Sequence, residues 1–227
     1  MDLNKIKEQF NFIAQKYDNH RKCFIPCFND FYKNSVSLLK CYNNNFKNIV
    51  DLGAGTGLLT MEIYELYNNA HYTLIDISND MLKIAKERFV GLYNFKFIEK
   101  NYVEEIPVEN CDLICSALSI HHLENADKIK LYKNIYKILD KEGCFINLDQ
   151  FIGTSEEINN LYNEWWYNYI NNSGIKPEEK SAWIERKKLD KENTIKETME
   201  LLKESGFKNI ECIYNFMKFG VIMAIKL

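Results

Sequence analysis

The chain has 227 residues, of which 46% are hydrophobic, and a formal net charge of −3 at pH 7. This length and composition predict a globular protein with a full hydrophobic core in a single domain, residues 1–227. The small negative charge excludes a general attraction to nucleic acid or acidic membranes, so we expect no direct binding to either. Seven cysteines at scattered spacings favour reduced thiols and a cytoplasmic location.

The N-terminal part of the chain has a helical pattern. Ile6, Phe10 and Ile13 recur at the spacing of an amphipathic helix. The aromatic stretch CFIPCFNDFY follows, and a further helical segment comes after it. We interpret residues 1–45 as a helical cap.

Short apolar segments then alternate with amphipathic helical segments. The five predicted strands are NIVDL, YTLIDI, FKFIEKN, CDLICSAL and CFINLDQF. Strands that alternate with helices of about a dozen residues are typical of a parallel sheet covered by helices on both faces.

The C-terminal third departs from this alternation. Residues 153–192 are predicted to be a mostly helical insertion, which we interpret as a lid, and a helix over 193–205 ends at Gly206. The segments NIECIYNF and FGVIMAIKL then follow as two strands with a connection too short for a parallel crossover. The predicted fold class is therefore α/β, a seven-stranded and mostly parallel sheet with a C-terminal antiparallel hairpin.

The stretch IVDLGAGTG, residues 49–57, places a glycine-rich turn after the first predicted strand. Ligands of open α/β sheets bind at the carboxyl ends of the strands, so this turn is a predicted cofactor site. Gly53, Gly55 and Gly57 depart from the Gly-x-Gly-x-x-Gly spacing of dinucleotide-binding proteins. Asp51 would repel a pyrophosphate but would attract the sulfonium and α-ammonium groups of S-adenosylmethionine (SAM).

Further predicted cofactor residues follow the next three strands. Asp76 ends the second strand about 20 residues after the glycines, where an acid holds a ribose diol. Ile77 is predicted to cover the adenine, Asn101 and Tyr102 to contact its edge and ring, and Ser116 to pass under the sulfonium. The complete predicted cofactor set is Asp51, Gly53, Ala54, Gly55, Gly57, Asp76, Ile77, Met81, Asn101, Tyr102 and Ser116.

Over nearly its whole length the chain resembles the class I SAM-dependent methyltransferase family. The matching segments are VDLGAGTG, LIDIS, ICSALSIHHL and the closing hairpin. The resemblance implies a Rossmann-like methyltransferase fold, SAM as the cofactor, and methyl transfer to a small-molecule acceptor by in-line displacement.

His121 and His122 are the predicted catalytic residues, because they follow the fourth strand and could remove a proton from the acceptor. The ordinary pKa of histidine suits that role near neutral pH. The alternative is that they fix the pocket by hydrogen bonds, since in-line transfer requires mainly alignment and exclusion of water.

The acceptor site is predicted to combine the N-terminal cap with the insertion. Its candidate residues are Tyr17, Arg21, Phe24, Trp165, Trp166, Tyr169 and Arg186. Aromatic residues three and four apart in the insertion form a helical stripe that either packs on the core or closes over the acceptor. Because the stripe lies outside the sheet repeat, we predict closure over the acceptor.

A second resemblance involves the accessory segments YDNHRKCFIPCF and ERKKLD and the tail beginning LLKESGF. These segments are similar to the carboxy-SAM synthases of tRNA wobble-uridine modification. That resemblance implies that Arg186 holds the extra carboxylate of the modified cofactor. The turn GAGTG has the ordinary methyltransferase form, so carboxy-SAM synthesis is the second hypothesis and a SAM-binding protein without turnover is the third.

The cysteines predict no metal site. Cys111 and Cys115 share one face of a predicted strand, and no third soft ligand can be placed beside them. The sequence leaves open the identity of the acceptor, the attacked atom, and the choice between a monomer and a homodimer.

Overall fold

The computed structural model describes residues 3–14 and 17–227, without the side chains of residues 3, 4, 19 and 20. Four residues of the predicted cap, 1, 2, 15 and 16, therefore lie outside the described part. The helices in that part are α1 (Leu3–Ile13), α2 (Tyr17–Phe24), α3 (Ser35–Tyr42), α4 (Leu58–Tyr64), α5 (Asn79–Arg88), α6 (Asn125–Ile138), α7 (Glu156–Asn171), α8 (Pro177–Lys187) and α9 (Ile195–Glu204). The strands are β1 (Asn48–Leu52), β2 (His71–Asp76), β3 (Phe95–Glu99), β4 (Cys111–Ala117), β5 (Leu139–Gln150), β6 (Asn209–Phe216) and β7 (Phe219–Ile225).

The seven strands form one sheet in the order β3-β2-β1-β4-β5-β7-β6. Strands β1 to β5 are parallel, and β7 is antiparallel to both of its neighbours, β5 and β6. The predicted fold class, including the antiparallel hairpin, is confirmed. The strand order reverses between β1 and β4, so the loops after these strands diverge and leave a crevice at the carboxyl edge of the sheet.

Both faces of the sheet are covered by helices. Leu39, Ile63 and Trp166 belong to the core on one face, and Leu131 and Leu202 belong to the core on the other. Strand β1 is buried at every position after Asn48, as expected for a strand with helices on both sides.

The insertion after β5 forms α7 and α8, in agreement with its predicted helical character. Strand β5 begins five residues earlier than the predicted strand CFINLDQF, at Leu139, which pairs with Cys111 of β4. The polar segment DKEG hides this extension in the sequence, and the register with β4 shifts between Cys111 and Leu113, so these four residues form an irregular part of the strand. Within the described residues, no helix is long and apolar enough to cross a membrane.

Candidate active site

The turn between β1 and α4 shapes one wall of a cleft. Gly53, Gly55 and Gly57 have positive φ angles of 68°, 55° and 80°, which glycine adopts without steric cost. A Cβ atom at Gly53 would overlap Ser119, and one at Gly57 would meet Phe89. A Cβ atom at Gly55 would project into open space, so two glycines permit close packing and the third leaves room for a ligand.

The cleft beside this turn encloses about 590 Å³ of space when its open mouth is included. The predicted cofactor residues that line it are Gly53, Gly55, Asp76, Ile77, Met81, Asn101 and Tyr102. The structure therefore brings the ends of β1, β2 and β3 together around one cleft.

Asp76 is the acidic residue in the wall of this cleft. Its Oδ2 accepts a hydrogen bond from the Gly55 backbone N–H at 2.8 Å, and its Oδ1 accepts one from the Ser78 backbone N–H at 2.7 Å. Burial raises the pKa of Asp76 to about 6 although these bonds oppose the shift. Each carboxylate oxygen can accept a further bond, which a pair of ligand hydroxyls would supply.

Asp51 lies deeper, with 1% of its surface exposed. Its Oδ2 accepts a hydrogen bond from Thr60 Oγ1 at 2.6 Å, and its Oδ1 has no hydrogen-bond partner among the described residues. Burial raises the pKa of Asp51 to about 7. Asp51 does not line the cleft, so this carboxylate lies behind the wall that the glycine turn forms.

One end of the cleft is apolar and suits a flat ring. Met81 is 1% exposed and lines the cleft with Ile77 and Tyr102. The Tyr102 hydroxyl lies 2.7 Å from Ser119 Oγ, which ties the end of β3 to the loop after β4. An adenine ring could lie between these side chains, as the sequence predicts.

The other four predicted cofactor residues are buried and do not line the cleft: Asp51, Ala54, Gly57 and Ser116. Ser116 is fully buried, and its hydroxyl donates to the Leu52 carbonyl at 2.7 Å; Ala54 belongs to the hydrophobic core. The prediction for Ser116 is corrected because β4 continues to Ala117, so the chain has not yet turned toward the cleft. Leu118, with a φ of 51°, makes that turn and lines the cleft.

Helix α1 covers the cofactor cleft, a role that the sequence did not predict. Ile6 and Phe10 line the cleft. Lys7 forms an ion pair with Glu99 at 2.6 Å. The Ser78 hydroxyl donates a hydrogen bond to Asn11 Oδ1 of α1 at 2.5 Å. The helical stripe of α1 is visible in the sequence, but nothing there specifies which surface it covers.

Hydrogen bonds and an ion pair connect helix α2 to the glycine turn. Thr56 Oγ1 donates to Asp18 Oδ1 at 2.6 Å, and Arg88 both pairs with Asp18 and donates from Nε to the Thr56 carbonyl at 2.7 Å. This contact places the next turn of α2, with Arg21, beside the cleft.

A second chamber of about 390 Å³ adjoins the cleft. Its walls include the predicted acceptor residues Tyr17, Arg21 and Arg186. The side chains that line both cavities are Phe10, Tyr17, Leu118 and His122. His122 thus lies at the junction of the two cavities.

His121 is held between two carboxylates. Its Nδ1 lies 2.5 Å from Asp149 Oδ1, and its Nε2 lies 3.5 Å from Asp190 Oδ1. Burial alone would lower the pKa of His121, but the two carboxylates raise it to about 10. His121 is therefore an imidazolium at neutral pH and has no free nitrogen lone pair with which to accept a proton.

His122 has the opposite electrostatic environment. Burial and the neighbouring His121 lower the pKa of His122 below its ordinary value, so its imidazole is neutral at pH 7. Its Nδ1 lies 3.0 Å from Asp190 Oδ1. Of the two predicted catalytic histidines, His122 has the charge state of a base.

Two arginines give the second chamber a positive wall. The Arg21 guanidinium lies 3.9 Å from the centre of the Tyr17 ring, and its buried Nε has no partner among the described residues. Burial lowers the pKa of both Arg21 and Arg186 to about 10, so both remain charged at neutral pH. Such a wall favours an anionic ligand.

The aromatic stripe of α7 packs against the core and does not face the chamber. Trp166 is 2% exposed, its Nε1 donates to the Phe24 carbonyl at 2.7 Å, and its ring meets that of Trp183 at 4.8 Å. Trp165 and Tyr169 stack on each other at the outer surface. The prediction that the stripe closes over the acceptor is corrected, because α2 and α8 bury Trp166 and the other two rings lie at the outer surface.

Trp166→Ala is expected to lower the free energy of unfolding by about 3–5 kcal/mol, because it opens a cavity in the core. The adjacent Trp165→Ala, at a partly exposed position, is the matched control and should cost about 1 kcal/mol. Thermal melting of both variants measures the difference. Equal melting temperatures for the two would contradict the packing role of Trp166.

Comparisons with known proteins agree with this geometry. A family described as "Methyltransferase domain" matches residues 49–143. The carboxy-S-adenosyl-L-methionine synthase of Nautilia profundicola is 26% identical over 97% of this chain and 96% of that protein. A malonyl-[acyl-carrier protein] O-methyltransferase of Ilyobacter polytropus is 27% identical over 63% of this chain and 51% of that protein.

The fold is also similar to solved methyltransferase structures. Human N-acetylserotonin methyltransferase in complex with SAM superposes with a TM-score of 0.57 over 80% of this chain, at 21% identity. The present chain spans 48% of that structure's length.

Proposed function

We propose that this protein transfers a methyl group from SAM to a small-molecule acceptor that carries a negative charge. Its residues 49–143 match a family described as "Methyltransferase domain", and its fold is similar to that of solved methyltransferases. The observation that carries this proposal is the pair of adjoining cavities at the carboxyl edge of the sheet, with His122 at their junction. One cavity has the residues that suit SAM, and the other has two arginines.

SAM supplies a methyl group activated by a positively charged sulfur. We assign Asp76 to the ribose diol, the apolar pair Ile77 and Met81 to the adenine, and Asn101 to its edge. We assign Asp51, which lies behind the cleft wall, to the methionine end of SAM, where it would act mainly through its charge. The positive φ of Gly55 and the open space beside it leave room for the ligand to pass the turn.

In the second chamber, Arg21 and Arg186 would bind the anionic group of the acceptor. Tyr17 and Leu118, which line both cavities, would hold the acceptor beside the methyl group and exclude water. We propose a small molecule rather than nucleic acid as the acceptor, because the net charge of −3 gives no general attraction to nucleic acid. We further propose that the single domain 1–227 acts in the cytoplasm, where its free cysteines would stay reduced.

A second candidate function is carboxy-SAM synthesis. It is favoured by the position of Arg186 beside the cofactor cleft and by the nearly full-length similarity to a protein named as a carboxy-SAM synthase. In this alternative, Arg186 would bind a carboxylate on the cofactor instead of one on the acceptor.

Mass spectrometry of the ligand released from the purified protein tests the first proposal against the second. We expect SAM or its demethylated product. Carboxy-SAM would support the alternative, and tight binding of NAD but not SAM would contradict both.

Arg186→Met separates the same two functions by affinity. If the arginine serves the acceptor, SAM affinity should stay within a few-fold of that of the parent protein. If it serves a carboxylated cofactor, affinity for carboxy-SAM should fall about 100-fold, because a bidentate charge-assisted contact is lost. Titration calorimetry with both ligands measures this, and Lys188→Met, which removes an exposed cation two residues away, is the control.

A further inference from the structure

Two buried carboxylates approach the adjacent histidines in different ways. Asp149, near the end of β5, contacts His121 but not the His122 ring: its Oδ1 lies 2.5 Å from His121 Nδ1, and its Oδ2 accepts the His121 backbone N–H at 3.1 Å. Asp190, in the loop after α8, lies near both rings, with Oδ1 3.5 Å from His121 Nε2 and 3.0 Å from His122 Nδ1. Of these two carboxylates, Asp190 is the one that lies within 4 Å of both imidazole rings.

Asp190 is held in place by the surrounding fold. Gln150 Nε2 donates to Asp190 Oδ2 at 2.6 Å, which leaves Oδ1 to the histidines. The backbone N–H of the next residue, Lys191, donates to the His121 carbonyl at 2.7 Å, and the buried Lys128 ammonium donates to the Lys191 carbonyl. These contacts fix the carboxylate relative to the histidine loop.

The contact between His122 and Asp190 is close but oblique. His122 Nδ1 has no hydrogen bond of good geometry among the described residues, although Asp190 Oδ1 lies 3.0 Å away. A small rotation of the ring would align the Nδ1–H with that oxygen. In that tautomer the proton is on Nδ1, and the lone pair on Nε2 is free.

We propose that Asp190 is a positioning residue that gives the two histidines different tasks. With Asp149 it holds His121 as a fixed imidazolium, and alone it orients His122 so that Nε2 can take a proton from the acceptor. This inference rests on the proposed methyl transfer. It favours as acceptor a small acid whose nucleophile keeps its proton at neutral pH, as a hydroxyl group does and an acidic thiol does not, since a base is useful only if the nucleophile has a proton to lose.

The acceptor oxygen forms a bond to the methyl carbon, the carbon–sulfur bond breaks, and the sulfur keeps the electron pair. The hydroxyl proton passes to His122 Nε2 and later to solvent. While His122 holds that proton, two imidazoliums face the carboxylates of Asp149 and Asp190, so the cluster is neutral overall.

A metal ion is a less favourable occupant of this cluster. One ligand atom each from His121, His122 and Asp190 could converge, since these atoms lie within 4.8 Å of one another. The same chamber is lined by Arg21, Arg186 and Lys187. These cations would repel a divalent ion. The imidazolium of His121 already faces the carboxylates of both Asp149 and Asp190.

The test uses the intact protein labelled with ¹⁵N-histidine and long-range ¹H–¹⁵N correlation spectra recorded across pH, which report the protonation and tautomer of each imidazole. The ionisable groups around His122 are His121, Asp149, Asp190, Arg21, Arg186 and Lys187. We expect His121 to remain doubly protonated from pH 6 to pH 8 and His122 to be neutral at pH 7 with its proton on Nδ1.

Asp190→Asn and Asp149→Asn form a matched pair of variants. Asp190→Asn should remove the Nδ1–H preference of His122, whereas Asp149→Asn should leave the tautomer of His122 unchanged and lower only the pKa of His121. A purely structural role for Asp190 would lower the melting temperature without changing the tautomer. A His122 tautomer with the proton on Nε2, or one unaffected by Asp190→Asn, would overturn the proposal.

A kinetic experiment separates failure of this inference from failure of the proposed function. The probes are a hydroxybenzoate and the corresponding mercaptobenzoate, whose thiol ionises without a base. We expect Asp190→Asn to lower kcat about 100-fold with the hydroxyl acceptor and much less with the thiol, with KM nearly unchanged. Transfer to the hydroxyl acceptor that is insensitive to Asp190→Asn would refute the inference alone, whereas absence of SAM binding would refute the proposed function.

Discussion

Asp76→Ala is expected to weaken SAM binding by about 30- to 1,000-fold. The carboxylate would accept two charge-assisted hydrogen bonds from the ribose diol, and their loss costs about 2–4 kcal/mol after water replaces the side chain. Asp76 also accepts the backbone N–H groups of Gly55 and Ser78, so the variant loses part of the support for the turn as well. Isothermal titration with SAM measures the effect.

Two control variants distinguish an effect on SAM binding from an effect on folding. Asp76→Asn keeps the volume of the side chain, and Asp80→Ala removes an exposed carboxylate from the next helix; the first should lose affinity and the second should not. A normal melting temperature with unchanged SAM affinity in Asp76→Ala would refute the ribose assignment.

The affinity for SAM should also depend on pH through Asp76. Burial raises the pKa of this carboxyl to about 6, so the side chain is ionised above pH 6 and protonated below it. Only the ionised form can accept both diol hydrogen bonds. Affinity should therefore fall as the pH decreases through 6, and Asp76→Asn should lose this part of the pH dependence.

His122→Gln is expected to lower turnover by about 10²- to 10⁴-fold with little change in SAM affinity, because glutamine can form hydrogen bonds but is not a base. In the parent protein, kcat/KM should rise with pH through a value below the ordinary pKa of histidine, since the neutral imidazole is the active form. Release of demethylated SAM in the presence of a hydroxybenzoate measures both effects.

His121→Gln is the contrasting variant. The substitution removes the imidazolium that lies between Asp149 and Asp190. A buried carboxylate without its partner is strongly destabilising. We expect a lowered melting temperature and a smaller loss of turnover per folded molecule. Nearly full activity in His122→Gln would mean that alignment alone accounts for catalysis.

Much of the fold and of the cofactor cleft could be predicted from the sequence, because these features depend on patterns that are local in the chain. Apolar strands alternating with amphipathic helices identify the parallel sheet, and the short connection before Phe219 requires an antiparallel hairpin. The glycines near Asp51 and the acid at Asp76 follow their strands directly, so the parallel arrangement itself brings the strand ends together.

Only the tertiary structure determined which surface each amphipathic helix covers. The stripe of α7 and the stripe of α1 look alike in the sequence, yet Trp166 is packed between α2 and α8, while Phe10 faces the ligand cavities. Periodicity specifies that one face of a helix is buried but not what buries it. That choice depends on contacts between segments more than 100 residues apart in the chain.

Tertiary structure also determined the different protonation states of the two histidines. His121 and His122 are neighbours with the same ordinary pKa, and the sequence assigns them the same role. Asp149 and Asp190 come from a strand and a loop beyond the histidine motif, and they change the charge state of one ring and not the other. The sequence alone determined the cofactor cleft and the position of Asp76 in its wall. The buried carboxylates that give the two histidines different charges came together only in the folded protein. Shifts in pKa depend on distances between residues that are remote in the chain, so the sequence could not predict them.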